Sequence, residues 1–174
     1  MEGNLKNKIK KIKLLILDVD GVLTNGKINF DERGKEIKVF DVQDGFGLVF
    51  FKQAGFKTAI ISARSAGAVT VRAKDLKFDE IHQDAYPKTS AYQKVLKNLK
   101  VKDEETCFMG DDLPDLCLLS KVGFSVAPAN GVDDVKKRVD YVTKRKGGDG
   151  AVREVVELIL RTQGKWKNVM KGFV

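Results

Sequence analysis

The chain has 174 residues, of which 43% are hydrophobic and 32% are charged, and only 3 are Pro. No apolar run approaches the roughly 18 residues of a membrane-spanning helix, and the Pro and Gly content excludes collagen-like and low-complexity chains. Two cysteines and one histidine are too few for a disulfide scaffold or a structural zinc site. The apolar run ending at Leu17 leads directly into Asp18 without an export signal. We therefore expect a cytoplasmic protein with reduced thiols.

The formal net charge of +8 is concentrated at the two ends of the chain. Residues 1–13 carry +4 and residues 136–174 carry +7, which leaves −3 for the 122 residues between them. The sequence has no basic stripe interleaved with aromatic residues, the pattern typical of nucleic-acid-binding folds. We therefore interpret the basic ends as solvated, with attraction of an anion as the alternative, and expect neither a nucleic-acid nor a membrane partner.

Short apolar runs alternate with longer amphipathic segments along most of the chain. The apolar runs predict strands, and the segments between them predict helices. We place strands at 12–17, 58–61, 78–81, 106–109, 122–126 and 141–142. We place helices at 44–54, 65–74, 87–99, 113–120, 131–138 and 152–160. This alternation predicts the α/β class, with a three-layer Rossmann-like parallel sheet covered by helices on both faces.

Residues 24–40, after the first strand, do not fit this alternation. Turn signals at Asn25-Gly26 and near Gly34 separate loosely alternating polar and apolar residues, which predicts a β-hairpin insertion. Residues 163–174 follow the last predicted helix as a C-terminal tail. We expect residues 1–174 to form a single domain.

Polar and charged side chains follow the carboxyl ends of several predicted strands, the edge at which parallel sheets bind ligands. Asp18 and Asp20 follow the first strand. Ser62 and Asp111 follow the second and fourth, and Lys88 begins the helix after the third. Carboxylates from separate strands repel unless a cation lies between them, and oxygen ligands without His or Cys favour Mg²⁺. The sequence therefore predicts a magnesium site that binds a phosphoryl group, with Lys88 and Ser62 as further donors.

The two acids after the first strand suggest separate roles in phosphoryl transfer. Asp18 could attack phosphorus and form an aspartyl-phosphate. Asp20 points to the same side of an extended segment, where it could protonate the leaving oxygen and later deprotonate the attacking water. Gly21 lets the chain turn directly afterwards. As structural alternatives, Asp111 and Ser62 could each cap the helix that follows.

These motifs resemble those of the haloacid dehalogenase superfamily of phosphotransferases. The first is Asp18-Val19-Asp20-Gly21-Val22-Leu23-Thr24, followed in the family's order by Ser62, Lys88 and Gly110-Asp111-Asp112-Leu113-Pro114-Asp115. The resemblance implies that Asp18 is the nucleophile, that Asp20 is the acid and base, and that Ser62 and Lys88 are catalytic. It also implies that Asp18, the backbone carbonyl of Asp20 and Asp111 hold Mg²⁺, and that Asp115 is oriented toward Lys88.

The spacing of the motifs leaves no room for the separate cap domain that many members of the superfamily carry. Asp18 and Ser62 are 44 positions apart, and Ser62 and Lys88 are 26 positions apart. An uncapped site is open to water, although a reactive acyl-phosphate benefits from exclusion of bulk solvent. Either a large substrate or neighbouring subunits would have to close it.

Within the superfamily, residues from about 12 to 162 resemble the 3-deoxy-D-manno-octulosonate 8-phosphate (Kdo 8-phosphate) phosphatases, enzymes of lipopolysaccharide precursor synthesis. The hairpin, residues 40–47 and residues 141–155 carry this resemblance. It implies a small-molecule sugar-acid phosphate as substrate and a homotetramer whose hairpins and tails complete neighbouring sites. It also implies substrate contacts by Asp20, Asp41, Asp44, Gly45, Arg64, Arg72 and Lys88.

Departures from the family pattern leave the substrate open. Family members often have Arg or Lys where this chain has Gln43, and Thr-Gly-Arg where it has Ser62-Ala63-Arg64. Dephosphorylation of a nine-carbon sialic-type acid 9-phosphate is therefore a close alternative. The chain could also be a phosphatase for macromolecules, or a non-catalytic homologue that serves as an interaction subunit. A signalling receiver domain uses similar groups, but its acidic pair precedes the phosphorylated aspartate. For Asp44, capping of the following helix is the structural alternative.

Overall fold

The computed structural model describes residues 2–172. Eight strands are present: β1 (Leu14–Leu17), β2 (Asn29–Phe30), β3 (Glu36–Ile37), β4 (Lys57–Ile61), β5 (Glu80–His82), β6 (Thr106–Met109), β7 (Phe124–Ala127) and β8 (Tyr141–Val142). Six of them form one parallel sheet in the order β5-β4-β1-β6-β7-β8. Strands β2 and β3 pair antiparallel, as expected for the hairpin at 24–40.

The described residues form eight helices: α1 (Glu2–Lys11), α2 (Val42–Gln53), α3 (Gly67–Asp75), α4 (Lys88–Leu99), α5 (Leu116–Leu119), α6 (Asp133–Lys136), α7 (Ala151–Thr162) and α8 (Trp166–Met170). Short 3-10 turns at Asp103–Glu105 and Leu113–Asp115 precede β6 and α5. The predicted parallel α/β architecture is confirmed. Within residues 2–172 the only insertion after β1 is the hairpin, and no cap domain is present. None of the described helices is long and apolar enough to cross a membrane.

The sheet separates two apolar cores, and β1 contributes to both. Leu15 and Leu17 belong to the core shared with α1, α2 and α7, whereas Leu14 and Ile16 belong to the core shared with α4 and α5. Successive side chains of a strand point to opposite faces, so a central strand covered on both sides must be apolar throughout. All four residues of β1 are fully buried, which explains the unbroken apolar run before Asp18.

Asp44 joins α2 to the first turn of α7. Its carboxylate is buried and accepts hydrogen bonds from the backbone N–H groups of Arg153, at 2.8 Å, and Gly150, at 3.3 Å. The first N–H groups of a helix lack intrahelical partners, so this side chain satisfies donors that would otherwise be buried unpaired. Burial raises the pKa of Asp44 to about 6. The cap of α2 is Asp41, which accepts from the Asp44 N–H at 2.9 Å, so the alternative that Asp44 caps this helix is wrong.

The basic ends of the chain are more ordered than the sequence predicted. The sequence pattern does not predict helix α1, because this segment is rich in lysine and has few apolar residues. Ile9 is one of these, and it is buried in the structure. In the tail, the Trp166 ring packs edge-on against Phe50, with 6.2 Å between ring centroids, and Val169 is buried. Residues 163–172 of the tail therefore pack on their own protomer, and residues 173–174 lie outside the described part of the chain.

Candidate active site

Three of the four predicted catalytic residues, Asp18, Asp20 and Lys88, meet where the central strands end. Leu17, the last residue of β1, is level with Ile60 of β4 and Met109 of β6. The polar residues that follow these strands consequently reach the same edge of the sheet. An open cavity of about 230 Å³ lies there, lined by Asp18, Asp20, Gly26, Ala63, Lys88, Asp111, Asp112, Pro114 and Asp115.

Lys88 joins two of the carboxylates in this cavity. Its buried ammonium lies 2.9 Å from Asp18 Oδ1 and 2.5 Å from Asp115 Oδ1. Burial alone would lower the pKa of Lys88, but Asp18 and Asp115 together raise it above its ordinary value. Lys88 is therefore a permanent positive charge beside Asp18, suited to stabilise negative charge rather than to transfer a proton.

Asp115 holds this arrangement in place. While Oδ1 binds Lys88, Oδ2 accepts from the N–H groups of Asp111, at 2.9 Å, and Asp112, at 3.2 Å. Both oxygens are thus engaged within the protein. The orientation of Asp115 toward Lys88, which the family resemblance implied, is present in the structure.

The remaining carboxylates fit a divalent cation. Oxygen atoms of Asp18, Asp111 and Asp115 lie within 4.8 Å of one another. With Lys88 they leave a net charge of −2 when all are ionised. Burial and the neighbouring carboxylates raise the pKa of Asp18 to about 6 and that of Asp111 to about 8. Burial contributes most to both raised pKa values and carboxylate repulsion adds to it, so a cation that neutralises these groups would bind favourably. Because Asp115 is engaged elsewhere, Asp18 and Asp111 are the side chains that would hold Mg²⁺.

Gly21 allows Asp111 to approach the turn after β1. Gly21 has φ +88°, a backbone region that glycine adopts without penalty. A Cβ atom at this position would overlap Asp111 Oδ2. The glycine of the first motif therefore serves two purposes, because it turns the chain and leaves space for a carboxylate from β6.

Asp20 is held by the hairpin and by Arg64. The Lys38 ammonium is buried and forms ion pairs with Asp20 Oδ1 and, at 2.9 Å, with Glu36 Oε1. Arg64 Nε lies 3.5 Å from Asp20 Oδ2 and its Nη2 lies 3.2 Å from Glu36. Asp20 Oδ2 is nevertheless buried without a hydrogen-bond partner among the described residues. A buried carboxylate oxygen without a partner is costly in a finished core, but it is useful where a substrate or a proton arrives.

Sequence analysis missed three residues of this site: Lys38, Glu36 and Asn130. Glu36 and Lys38 are two positions apart in the hairpin and so share one side of it, a period-two signal that was available in the sequence. Asn130 follows β7 and links two loops, donating to the Gly21 carbonyl at 2.9 Å and accepting from Gly147 N–H at 2.6 Å. Its signal in the sequence is its place after a fifth strand end, beyond the four that carry the motifs.

The other predicted residues fall into three places. Ser62 follows β4 and is buried, and its hydroxyl oxygen accepts from Arg64 N–H at 3.3 Å. Asp41, Gly45 and Arg72 lie at the start of α2 and on the facing helix α3, with the Arg72 guanidinium against Gly45. Asp44 is buried beneath α7, as described above.

Comparison with known proteins agrees with the geometry. Residues 69–155 match the family model of haloacid dehalogenase-like hydrolases. The 3-deoxy-D-manno-octulosonate 8-phosphate phosphatase KdsC of Escherichia coli strain B is 42% identical over 165 residues, which cover 95% of this chain and 88% of that protein. The chain therefore belongs to the haloacid dehalogenase-like hydrolase family.

Two crystal structures narrow the comparison within this family. The 3-deoxy-D-manno-octulosonate 8-phosphate phosphatase of Moraxella catarrhalis, solved with a magnesium ion, a phosphate ion and Kdo, is 40% identical. It superposes with a TM-score of 0.96 and covers 100% of both chains. The corresponding phosphatase of Yersinia pestis is 38% identical with a TM-score of 0.92, and covers 94% of this chain and 89% of its own.

Substitution of Gly21 should impair binding of the cation without unfolding the protein. We expect Gly21→Ala to displace Asp111 and to reduce Mg²⁺ affinity at least tenfold, by isothermal titration calorimetry. Gly34→Ala is the matched control, because Gly34 also has a positive φ, +75°, but nothing lies within 4 Å of a Cβ atom there. Both variants should lose about 1 kcal/mol of stability to backbone strain, but only Gly21→Ala should lose the metal. Equal Mg²⁺ affinity in the two variants would refute the packing argument.

The affinity for Mg²⁺ should depend on pH because the cation replaces protons. Asp111 and Asp18, with pKa values raised to about 8 and about 6, hold protons at a pH where ordinary aspartates are ionised. Mg²⁺ affinity should therefore rise as pH increases from 6 to 8, by up to about tenfold per unit, and then level off. Calorimetry in two buffers with different ionisation enthalpies would also measure the released proton. A constant affinity from pH 6 to pH 8 would contradict this assignment.

Proposed function

We propose that this chain is a Mg²⁺-dependent phosphomonoesterase that hydrolyses Kdo 8-phosphate to Kdo and phosphate. The observation that carries the proposal is the group formed by Asp18, Lys88, Asp115 and Asp111 at one edge of the sheet. Support for the substrate comes from the Moraxella catarrhalis phosphatase, which matches the whole length of the chain and was crystallised with Kdo. We place the activity in the cytoplasm, within lipopolysaccharide precursor synthesis.

Asp18 acts as the nucleophile in this proposal. Lys88 binds its Oδ1, which leaves the other carboxylate oxygen to attack phosphorus. The new bond joins that oxygen to phosphorus as the bond to the sugar oxygen breaks, giving an aspartyl-phosphate. The phosphoryl oxygens face the Lys88 ammonium, and Ser62 adds a neutral donor. When bound between Asp18 and Asp111, Mg²⁺ supplies further positive charge for these oxygens.

Asp20 handles the protons in both half-reactions. Lys38 orients its carboxylate through Oδ1, and we assign the transferred proton to Oδ2, which accepts no hydrogen bond from the described residues. The protonated Oδ2 gives its proton to the departing sugar oxygen. The resulting carboxylate then takes a proton from the water that attacks phosphorus, as the bond from phosphorus to the Asp18 oxygen breaks and phosphate leaves. Removal of Lys38 should therefore weaken catalysis by misplacing Asp20.

The sugar acid would extend from the cavity toward α2 and α3. Arg64 is about half exposed beside Asp20, which lines the cavity, and a substrate carboxylate would displace Glu36 from its planar fork. Beyond it, a second cavity of about 740 Å³ between the hairpin and α3 is lined in part by Glu36, Phe40 and Arg72. Gly45 lies against Arg72 and Asp41 caps the same helix, so both are retained as candidate contacts. Asp44 is not, because α7 already occupies its carboxylate.

Gln43 is the position at which the sequence leaves the substrate open. Its side-chain oxygen accepts a hydrogen bond from Arg145 Nη1 at 2.8 Å. A guanidinium from the loop before α7 therefore stands beside the position where relatives often carry their own cation. This positive charge does not separate the two candidate substrates, because Kdo 8-phosphate and the nine-carbon acid 9-phosphate carry the same two anionic groups, so both must be tested.

We also propose a homotetramer whose hairpins help to close neighbouring sites. The hairpin and the adjacent helices expose apolar side chains that a monomer would leave in water: Ile28, Phe30, Ile37, Val39, Val42, Phe46 and Val71. Several large apolar side chains exposed in the hairpin and the helices next to it are typical of a protein interface. The described contacts of the tail are with its own protomer, so we base this proposal on the hairpin alone.

Phosphate release across a panel of sugar phosphates tests the function. We expect Kdo 8-phosphate to be the preferred substrate, ahead of the nine-carbon acid 9-phosphate and simple hexose phosphates. EDTA should abolish the activity and Mg²⁺ should restore it.

Asp18→Asn should remove turnover, by at least about 10³-fold, without loss of thermal stability, because it relieves repulsion with Asp111. Asp133→Asn, which changes an exposed acid outside the cavity, is the control. Turnover by Asp18→Asn would refute the nucleophile, and a preference for another phosphate would refute the substrate.

Polar substitution of the hairpin tests the assembly. Phe30→Asp combined with Val39→Asp should reduce the molar mass from tetramer to a smaller species in light scattering coupled to gel filtration. Activity should fall with it, because the site would be open to solvent. Val142→Asp lies in β8, an edge strand of the main sheet outside the hairpin, and should leave the mass unchanged. A tetramer that survives the hairpin substitutions, or a wild-type monomer, would overturn the proposal.

A further inference from the structure

A second charged region lies at the amino edge of the sheet, where the strands begin, opposite the active site. An open cavity of about 560 Å³ is lined there by seven lysines: Lys10, Lys11, Lys13, Lys57, Lys100, Lys102 and Lys165. The acidic residues of this cavity are Glu104 and Glu105, so its lining carries a net charge of +5. We call it the lysine cavity.

The lysines reach the cavity from separate parts of the chain. Lys10 and Lys11 end α1, Lys57 begins β4, Lys100 follows α4, and Lys165 follows α7. The basic first segment of the sequence, for which the active site provides no role, is thereby brought against basic residues up to 155 positions away. Like charges gathered by the fold repel one another, so the arrangement lowers stability unless something compensates it.

Part of this charge is compensated within the protein. Lys13 pairs with Glu105 at 2.5 Å, Lys57 donates to the Leu99 carbonyl at the end of α4 at 2.5 Å, and Lys165 donates to the Ala54 carbonyl at 3.1 Å. The partial negative charge at the C-terminus of α4 thus compensates the positive charge of Lys57.

Other lysines have no such partner. Lys10, Lys11 and Lys100 are exposed, and none of them forms an ion pair with the part of the chain that the structure describes. The floor between them is closed by buried apolar side chains of Ile12, Phe56 and Val101. A cavity with a fixed floor and free cations around its rim is suited to hold a small anion of several charges.

We infer that the lysine cavity binds a soluble oligophosphate, an anion with at least two linked phosphate groups. All the cations that line it are lysines, and lysine binds phosphate as a flexible point charge, whereas planar pairing with single carboxylates favours arginine. A linked chain of phosphates offers several charged groups to the unpaired lysines of this one cavity, Lys10, Lys11 and Lys100. The concave shape favours a compact soluble ligand over a flat lipid surface.

A bound oligophosphate would tie the end of α1 to the loop that leads into β6. Binding to the folded chain alone stabilises it by mass action, and the effect should weaken as salt screens the lysines. At saturation we expect the unfolding midpoint to rise by about 5 °C or more in low salt.

Calorimetric titration of inorganic tripolyphosphate into the full-length chain tests the inference. EDTA is included so that the magnesium site, which is acidic without its cation, does not bind the probe. We expect one site per chain in the wild type. Lys10→Glu combined with Lys100→Glu should weaken binding at least tenfold and remove the thermal shift, while the Mg²⁺-dependent phosphatase activity is retained. The control, Lys74→Glu combined with Lys137→Glu, makes the same charge change at lysines outside the cavity and should bind like the wild type.

Further measurements distinguish a phosphate chain from a nucleotide as the ligand, and they allow for a variant that does not fold. Equal affinity for tripolyphosphate and ATP would identify the phosphate chain as the ligand, and tighter binding of ATP would identify a nucleotide. If the double glutamate variant is unfolded by circular dichroism, Lys10→Gln and Lys100→Gln should each weaken binding instead. The inference is overturned by absence of binding, by equal losses in the cavity and control variants, or by binding to anionic vesicles without binding of tripolyphosphate.

Discussion

Repulsion among buried carboxylates is the constraint on which the rest of this site depends. The parallel sheet brings Asp18 and Asp111 to the ends of adjacent strands, and Asp115 lies one turn further on. One buried lysine cannot balance three acids. The protein uses Lys88 and two backbone N–H groups to fix Asp115, which leaves the charge of the other two for a divalent cation and a phosphate. Unbalanced negative charge at this edge lowers the stability of the fold but allows the cation and the phosphate to bind.

The surrounding elements hold this strained edge together. The hairpin contributes Lys38, which orients the carboxylate of Asp20, and the loop before α7 packs on the turn after β1 through Asn130. Asp44 in turn anchors the beginning of α7 to α2. Segments that looked like connections in the sequence are thus the supports of the catalytic groups. The same hairpin exposes the apolar side chains on which the proposed assembly rests.

Charge is distributed unequally between the two edges of the sheet. Acidic groups gather where the strands end, and lysines gather where they begin. The net charge of +8 therefore conceals a polarity that composition cannot express. An acidic edge attracts a cation, through which a phosphate can approach, whereas the basic edge attracts anions directly. Two anion sites of different chemistry can coexist on one small fold because the sheet separates them.

The sequence by itself determined the order in which chemical groups follow the strands along the chain. Apolar runs that end in Asp18, Ser62 and Asp111 predict both the parallel sheet and its ligand-binding edge, since the periodicity of burial is a local property. The sequence could not reveal that Lys38 binds Asp20 or that α7 binds Asp44. The first pair is separated by 18 positions along the chain and the second by more than 100. Helix α1 also depended on packing, since a lysine-rich segment gains its stability from the few apolar residues it buries. Long-range pairing of charged groups was decided by the tertiary structure, because many partners are possible for each charge and only the folded chain selects one.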